Sequence, residues 1–168
     1  MEIIGTLSKF DFNHWQYHIP IEDNVVNELM KSSNRRVLVW IENNGPFHMA
    51  LFKAKACWYI LINKEIRGKY NLELNQKVNL KLEADTSEYG HEVPEEFSCL
   101  LDQDDEASLF FNSLTKGKQR SLIYLVTKVK NPESRMKKSL AIMHHLRLSR
   151  GKLDFKQLNE LIKYYNNQ

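Results

Sequence analysis

Five cations crowd one short stretch of this chain: Lys128, Lys130, Arg135, Lys137 and Lys138. They bracket Asn131-Pro132-Glu133, a cap residue followed by proline at a first helical position, so the spacing predicts a helix whose start is ringed by positive charge. The free N–H groups and macrodipole of such a start favour an anion, and Arg135 can add a bidentate contact to phosphate or carboxylate. These five residues form the candidate anion-binding site. The competing reading is a solvated basic face. Lys116 to Lys152 holds eleven bases with Glu133 as the only acid, whereas Glu92 to Glu106 holds seven acids and no base. Charge blocks usually mark solvated helix faces, so pairing between the two segments is favoured over a ligand.

Other residues with chemical potential form no constellation. His14 and His18 lie four apart in a strand or turn, where that spacing does not converge on a metal as it does on a helix. His144 and His145 are adjacent, so on a helix they point about 100° apart and share no ligand set. Cys99 has no neighbouring histidine and is expected to be a small buried hydrophobe. Ser134-Arg135 lacks the glycine-rich turn of a nucleophile elbow. Trp15, Trp40 and Trp58 lie in apolar runs and are expected in the core, not on a stacking platform. With no nucleophile and base in register and no metal motif, the expectation is a non-enzymatic protein with no cofactor.

The 168 residues suffice for one large or two small domains, burying roughly 70% of the unfolded surface. Cys57 and Cys99 are too few for a disulfide scaffold, and Met1 to Phe12 has no apolar core of signal-peptide type. No apolar run approaches the roughly 20 residues of a membrane helix. The default expectation is therefore the cytoplasm of a bacterium, with no membrane contact. The net charge of +3 is unevenly spread. Residues 1–92 carry 11 Lys plus Arg against 12 Asp plus Glu, a balance of −1, and residues 93–168 carry 13 against 9, a balance of +4.

The elements that must position these groups are clearest from Trp58 to Asp85. Tyr59 to Ile62 is an apolar run of strand length, and Lys64 to Tyr70 reads as a short helix anchored by Ile66. Val78, Leu80, Leu82 and Ala84 then alternate with polar residues, the period of a half-buried strand. This unit occurs twice. A shift of 42 residues sets Leu7 on Met49, Phe10 on Phe52, Tyr17 on Tyr59 and Ile19 on Leu61, and a one-residue slip then sets Val37, Val39 and Ile41 on Val78, Leu80 and Leu82. The strands are expected at Ile3 to Phe12, His14 to Ile19, Arg36 to Ile41, Phe47 to Lys53 and the two just described, with a helix opened by Pro20 and Asp23 and a turn at Asn43-Asn44-Gly45-Pro46. Two copies are too few for a solenoid, so the expected fold is α+β: a six-stranded, pseudo-twofold double-split β-barrel with two short helices over residues 1–86. With both halves in one chain, a monomer is expected.

Residues 87–93 read as a linker, and residues 94–168 as an all-α segment in which strand alternation never returns. Phe97, Leu100 and Leu101 start one helix and Leu109 to Leu114 continue after an acidic turn. Leu122, Leu125, Val126 and Val129 keep one buried face. Ser134 to Leu148 follows, stopped by Gly151, and Leu158, Leu161, Ile162 and Tyr165 mark a last amphipathic helix.

Several motifs carry a resemblance. His18-Ile19-Pro20, Asn63-Lys64-Glu65-Ile66-Arg67, Lys77-Val78 with Leu80, Leu82 and Asp85, and Val93-Pro94 resemble the N-terminal β domain of the YdeI/OmpD-associated, or bacteriocin-protection, family. Lys130, Glu133, Ser134, Arg135 and Lys138 resemble its C-terminal run, with serine for the usual threonine and lysine for the usual second arginine. The resemblance implies a double-split barrel and an uncharacterised role in bacteriocin or stress protection. The barrel half is also similar to the swapped-hairpin DNA-binding domains of AbrB-type regulators and MazE-type antitoxins, which implies the alternative of a nucleic-acid-binding regulator. A partner at the basic segment would then be an acidic protein or nucleic acid. The −1 balance of residues 1–92 disfavours duplex binding by the strands themselves.

Overall fold

The computed structural model describes residues 1–11, 17–32 and 35–168. It divides into two compact units, Met1–Gly90 and His91–Gln168.

The first unit contains β1 (Glu2–Thr6), β2 (Ser8–Lys9), β3 (Tyr17–Ile21), α1 (Asp23–Met30), β4 (Arg36–Ile41), β5 (Asn44–Ala50), β6 (Phe52–Lys53), β7 (Trp58–Leu61), α2 (Lys64–Lys69) and β8 (Lys77–Ala84). These eight strands form two four-stranded antiparallel sheets, ordered β1-β8-β4-β5 and β2-β3-β7-β6. The expected closed six-stranded barrel is therefore wrong: both sheets are open. The reason lies at Leu7 and Leu51, both buried. Each interrupts what the sequence presents as one strand, so that β1 and β5 serve the first sheet while β2 and β6 serve the second. The backbone is still satisfied at each break: Leu7 donates to Gln76 (2.9 Å) and Leu51 to Arg35 (2.8 Å).

Those two bonds also correct the register of the repeat. Val37 and Val78 are equivalent as expected, because Val78 faces Gly5 and Val37 faces Met49 in the same ladder positions. Gly5 thus corresponds to Met49, Ile3 to Phe47 and Leu7 to Leu51, whereas the sequence shift placed Leu7 on Met49. Likewise Ile19 pairs directly with Ile60 across the two middle strands of the second sheet and corresponds to it, not to Leu61. The same shift superposes Glu22 on Asn63, the N-caps of α1 and α2, and Val25 on Ile66, both buried. A Cβ added to Gly5 would collide with Cγ2 of Ile19, so glycine is required for β1 to approach β3.

Two local expectations shift by a few residues. Pro20 lies inside β3, opposite Tyr59, and does not open α1. It is tolerated because Tyr17 accepts from Ile62 (3.0 Å), and ladder alternation then turns the position of the missing N–H away from β7, past the end of two-residue β2. The β4–β5 turn is Glu42-Asn43, both with positive φ (48° and 63°), as a two-residue hairpin loop demands. The core lies between the sheets: Val37, Val39, Ile41, Val78, Leu80 and Leu82 from one, Ile19, Ile21, Ile60 and Ile62 from the other strand layer, closed by Val25, Val26, Leu29 and Ile66 of the helices. Trp58 joins it, but Trp40 is only half-buried and lies under the Lys81 ammonium, 4.5 Å from its ring centroid. His14 and Trp15 lie outside the described residues.

The second unit is all helical: α3 (Glu95–Gln103), α4 (Asp105–Ser113), α5 (Lys116–Thr127), α6 (Pro132–Ser149) and α7 (Phe155–Asn166). Side-chain caps start four of them: Asp104 accepts from Ala107 (2.9 Å), Thr115 from Lys118 (3.4 Å), Asn131 from Ser134 (3.2 Å) and Asp154 from Lys156 (2.9 Å). Helix α6 packs against each of the other four. That position explains its buried residues on several faces, Ser139, Ala141, Ile142, Met143, His145 and Leu146, in place of a single apolar stripe. It ends where Arg150 and Gly151 adopt positive φ and Gly151 donates to Leu146 (3.1 Å).

Candidate functional site

The five cations of the candidate anion site fall at the end of α5, in the connecting turn and on the first turns of α6. Arg135 is held by Glu96 on α3: Nε donates to both carboxylate oxygens at 3.1 Å and Nη2 to one at 3.0 Å, while Nη1 reaches the Lys130 carbonyl at 3.4 Å. Hydrogen bonding from Arg135 is the main cause that holds the Glu96 carboxyl below its ordinary range. Lys138 donates to the Leu125 carbonyl (3.3 Å), one of the carbonyls that α5 leaves unpaired at its C-terminus. Burial, then the nearby Lys128 charge, lowers its pKa. Lys137 pairs with Glu133 one turn before it, at 3.1 Å. Lys128 and Lys130 are exposed.

The acidic run meets α6 a second time where Asp104 contacts Arg147 at 3.1 Å. Two turns of contact between α3 and α6 are thus pinned by opposite charges, Glu96 with Arg135 and Asp104 with Arg147. Beside the first pair opens a cleft of about 530 Å³ lined by Glu96, Cys99, Thr127 and Arg135 among others. Cys99 is exposed there, not buried as expected, because its side chain falls on the outward side of α3 opposite Phe97. Ser134 donates its backbone N–H to the Asn131 cap at 3.2 Å.

Among the described residues, His18, His144 and His145 make packing and hydrogen-bond contacts. His18 is buried and stacks on Phe10, ring centroids 3.6 Å apart, with Tyr59 edge-on at 5.4 Å. His144 and His145 diverge as adjacency requires, yet both serve the α6–α7 contact: His144 Nδ1 lies 3.2 Å from the Tyr165 hydroxyl, and His145 Nε2 accepts the Asp154 N–H at 3.1 Å. That acceptor role requires an unprotonated Nε2. Burial, reinforced by His144 and opposed by Asp154 and Gln157, lowers the His145 pKa. The unfolded chain therefore binds the proton more readily. The stability this residue contributes is complete above the unfolded value of about 6.5 and is lost as pH falls below it. Thermal melts between about pH 7.5 and 5.5 should show the midpoint falling in the wild type and a flatter profile for His145→Gln; parallel profiles would exclude the linkage.

One polar cluster escaped the sequence. Asp85, its side chain inaccessible, accepts from His48 Nδ1 (2.8 Å), the Ser87 N–H (3.0 Å) and the Ser87 hydroxyl. The Ser87 hydroxyl oxygen accepts from Gly90 (3.1 Å), whose carbonyl accepts from Arg36 Nη2 (2.9 Å). The cluster fastens residues 85–90 to β4 and β5. Asp85 falls in the polar phase of the β8 alternation, so its burial had no signal in the sequence pattern. Among the described residues, no group of three or more His, Cys, Asp or Glu side chains is arranged to hold a metal, and no helix is long and apolar enough to cross a membrane.

No curated protein and no solved structure matches the chain. The family comparison falls on the helical unit, includes Lys130, Glu133, Ser134, Arg135 and Lys138, and stops inside α6, leaving the strand unit and α7 outside it. Over residues 91–148, from the start of that unit through the Arg135–Glu96 pair to Leu148, the chain matches the family described as bacteriocin-protection, YdeI or OmpD-associated.

Proposed function

We propose that the chain is a non-enzymatic intracellular binding protein whose helical unit serves bacteriocin or stress protection by recognising another protein. The observation that carries this reading is the Arg135–Glu96 clamp: the guanidinium of the candidate anion site already has a carboxylate on its fork. Three further groups with displaced pKa are engaged in structural contacts, His145 with the Asp154 N–H, Asp85 with His48 and Ser87, and Lys138 with a helix end. The alternative, an AbrB-like nucleic-acid-binding regulator, needs Lys128, Lys130, Arg135, Lys137 and Lys138 to neutralise about five phosphates, which gives a log–log salt slope near −4.5 on duplex DNA.

Titration of the full chain with duplex DNA near physiological salt is expected to show no binding. Changing Arg135 and Lys138 together to Gln should lower the melting temperature slightly, by an amount that added salt diminishes. Micromolar binding, with a slope that flattens by about two on the same double change, would overturn this reading and establish the regulator.

A further inference from the structure

The two repeats of the strand unit differ at one seam. In the second repeat, Phe47 of β5 and Tyr70 at the end of α2 meet with ring centroids 6.0 Å apart. In the first, Ile3 takes the place of Phe47, and an open cleft of about 600 Å³ separates β1 from the β3–α1 junction. Gly5, Pro20, Ile21 and Val25 give it an apolar floor; Glu22 and Asp23 stand on its rim, and among the described residues no Lys or Arg lines it.

Strand β1 is an edge of its sheet. Met1 and Leu82 exchange backbone hydrogen bonds (2.6 and 2.7 Å), and Leu7 donates to Gln76. Alternation along the ladder therefore turns the N–H and C=O groups of Glu2, Ile4 and Thr6 away from β8, toward the open side. Ile4, 69% exposed, is the most exposed large apolar side chain among the described residues of the strand unit. The opposite edge, β5, is blunted: Pro46 stands where β1 has Glu2 and lacks an N–H, and His48 stands where β1 has Ile4 and is tied to Asp85 at 2.8 Å. One edge is protected and its pseudo-symmetric counterpart is open.

We propose that the β1 edge accepts an additional strand from a partner protein, an extended segment alternating β-branched apolar with basic side chains. Main-chain bonds to Glu2, Ile4 and Thr6 supply the pairing, the cleft floor takes the apolar residues on the inner face, and Glu2 on the outer face, with Glu22 and Asp23 on the rim, attracts the basic ones. This surface belongs to the strand unit and does not rest on the reading of the helical unit.

The probe is a set of capped peptides of about seven residues alternating Val or Ile with Lys, with Glu-for-Lys counterparts as controls, titrated into the full chain under amide-resolved NMR. The basic peptides should shift the amides of Glu2, Ile4 and Thr6 and slow their exchange. Ile4→Pro removes an outward N–H but no ladder bond, and should weaken binding by at least about tenfold. Glu22→Gln combined with Asp23→Asn should weaken it severalfold and reduce its salt dependence. If Ile4→Pro perturbs the fold, the acid pair and the amide map decide. Failure of every basic peptide, equal binding of the acidic controls, undiminished binding to a folded Ile4→Pro chain, or self-pairing of β1 with a second copy in light scattering would each overturn the proposal.

Discussion

Leu80→Ala should lower the stability of the strand unit by about 2–5 kcal/mol, the range for truncating a buried leucine that the surrounding structure cannot fully collapse around. Leu80 is 2% exposed on β8, between Ile3 of β1 and Ile41 of β4 in the ladder. Its Cδ1 would lie 3.3 Å from a Cβ added to Gly5, so the site is packed from the sheet edge as well as from the core. Urea unfolding of the full chain, followed by a probe confined to the strands, reads the effect as a lower midpoint at unchanged slope. Ile4→Ala, on the outward face of β1, serves as the control and should change stability by less than about 0.5 kcal/mol. A loss below about 1 kcal/mol at Leu80 would put it on the solvent face and refute the register, because a one-residue slip exchanges the two faces.

What the sequence revealed of the fold was its periodicity. The alternation of Val78, Leu80 and Leu82 is their burial pattern, and the match of Val37 to Val78 survives as a true structural equivalence. The N-cap Asn131 and the stop at Gly151 follow from local chemistry and stand where the residues suggested. The sheet architecture was not legible, because nothing in the composition of Leu7 or Leu51 marks a strand break. Each is an ordinary apolar residue whose neighbours on both sides remain extended. Closure was inferred from two apolar sheet faces needing one another; the faces do bury one another, but across open sheets with free edges.

The candidate site divides in the same way. Charge blocks are visible in a sequence, and the pairing of an acidic with a basic segment is a short step from them. That Glu96 rather than Glu95 takes Arg135 depends on how α3 is turned against α6, which no local pattern encodes. His145 is a harder case. Its role exists only because the α6–α7 turn brings the Asp154 N–H to its Nε2, so it carries no signature beyond being a histidine on an apolar stretch.

Asp85→Ala is expected to cost about 2–4 kcal/mol, a large effect for a single polar residue, because it leaves His48, Ser87 and their backbone neighbours without the group around which they are arranged. Burial by itself would raise the Asp85 carboxyl; hydrogen bonds from Ser87 and from His48 outweigh it and hold the carboxyl below its ordinary range. A carboxyl with a lowered folded-state pKa contributes stability that is fully present above the unfolded value of about 3.9 and is lost as pH falls through the folded one. Acid unfolding of the wild type should therefore steepen below about pH 4, and Asp85→Asn, which keeps the shape but removes the titration, should be less stable at neutral pH yet lose less on acidification. The variant should also release residues 85–90, which hang from this carboxylate through Ser87 and Gly90, so their amides should exchange faster while those of β8 remain protected. Equal acid profiles for the wild type and Asp85→Asn would mean that the carboxylate is not the anchor of this segment, and Arg36, through its bond to the Gly90 carbonyl, would be left as its principal tie.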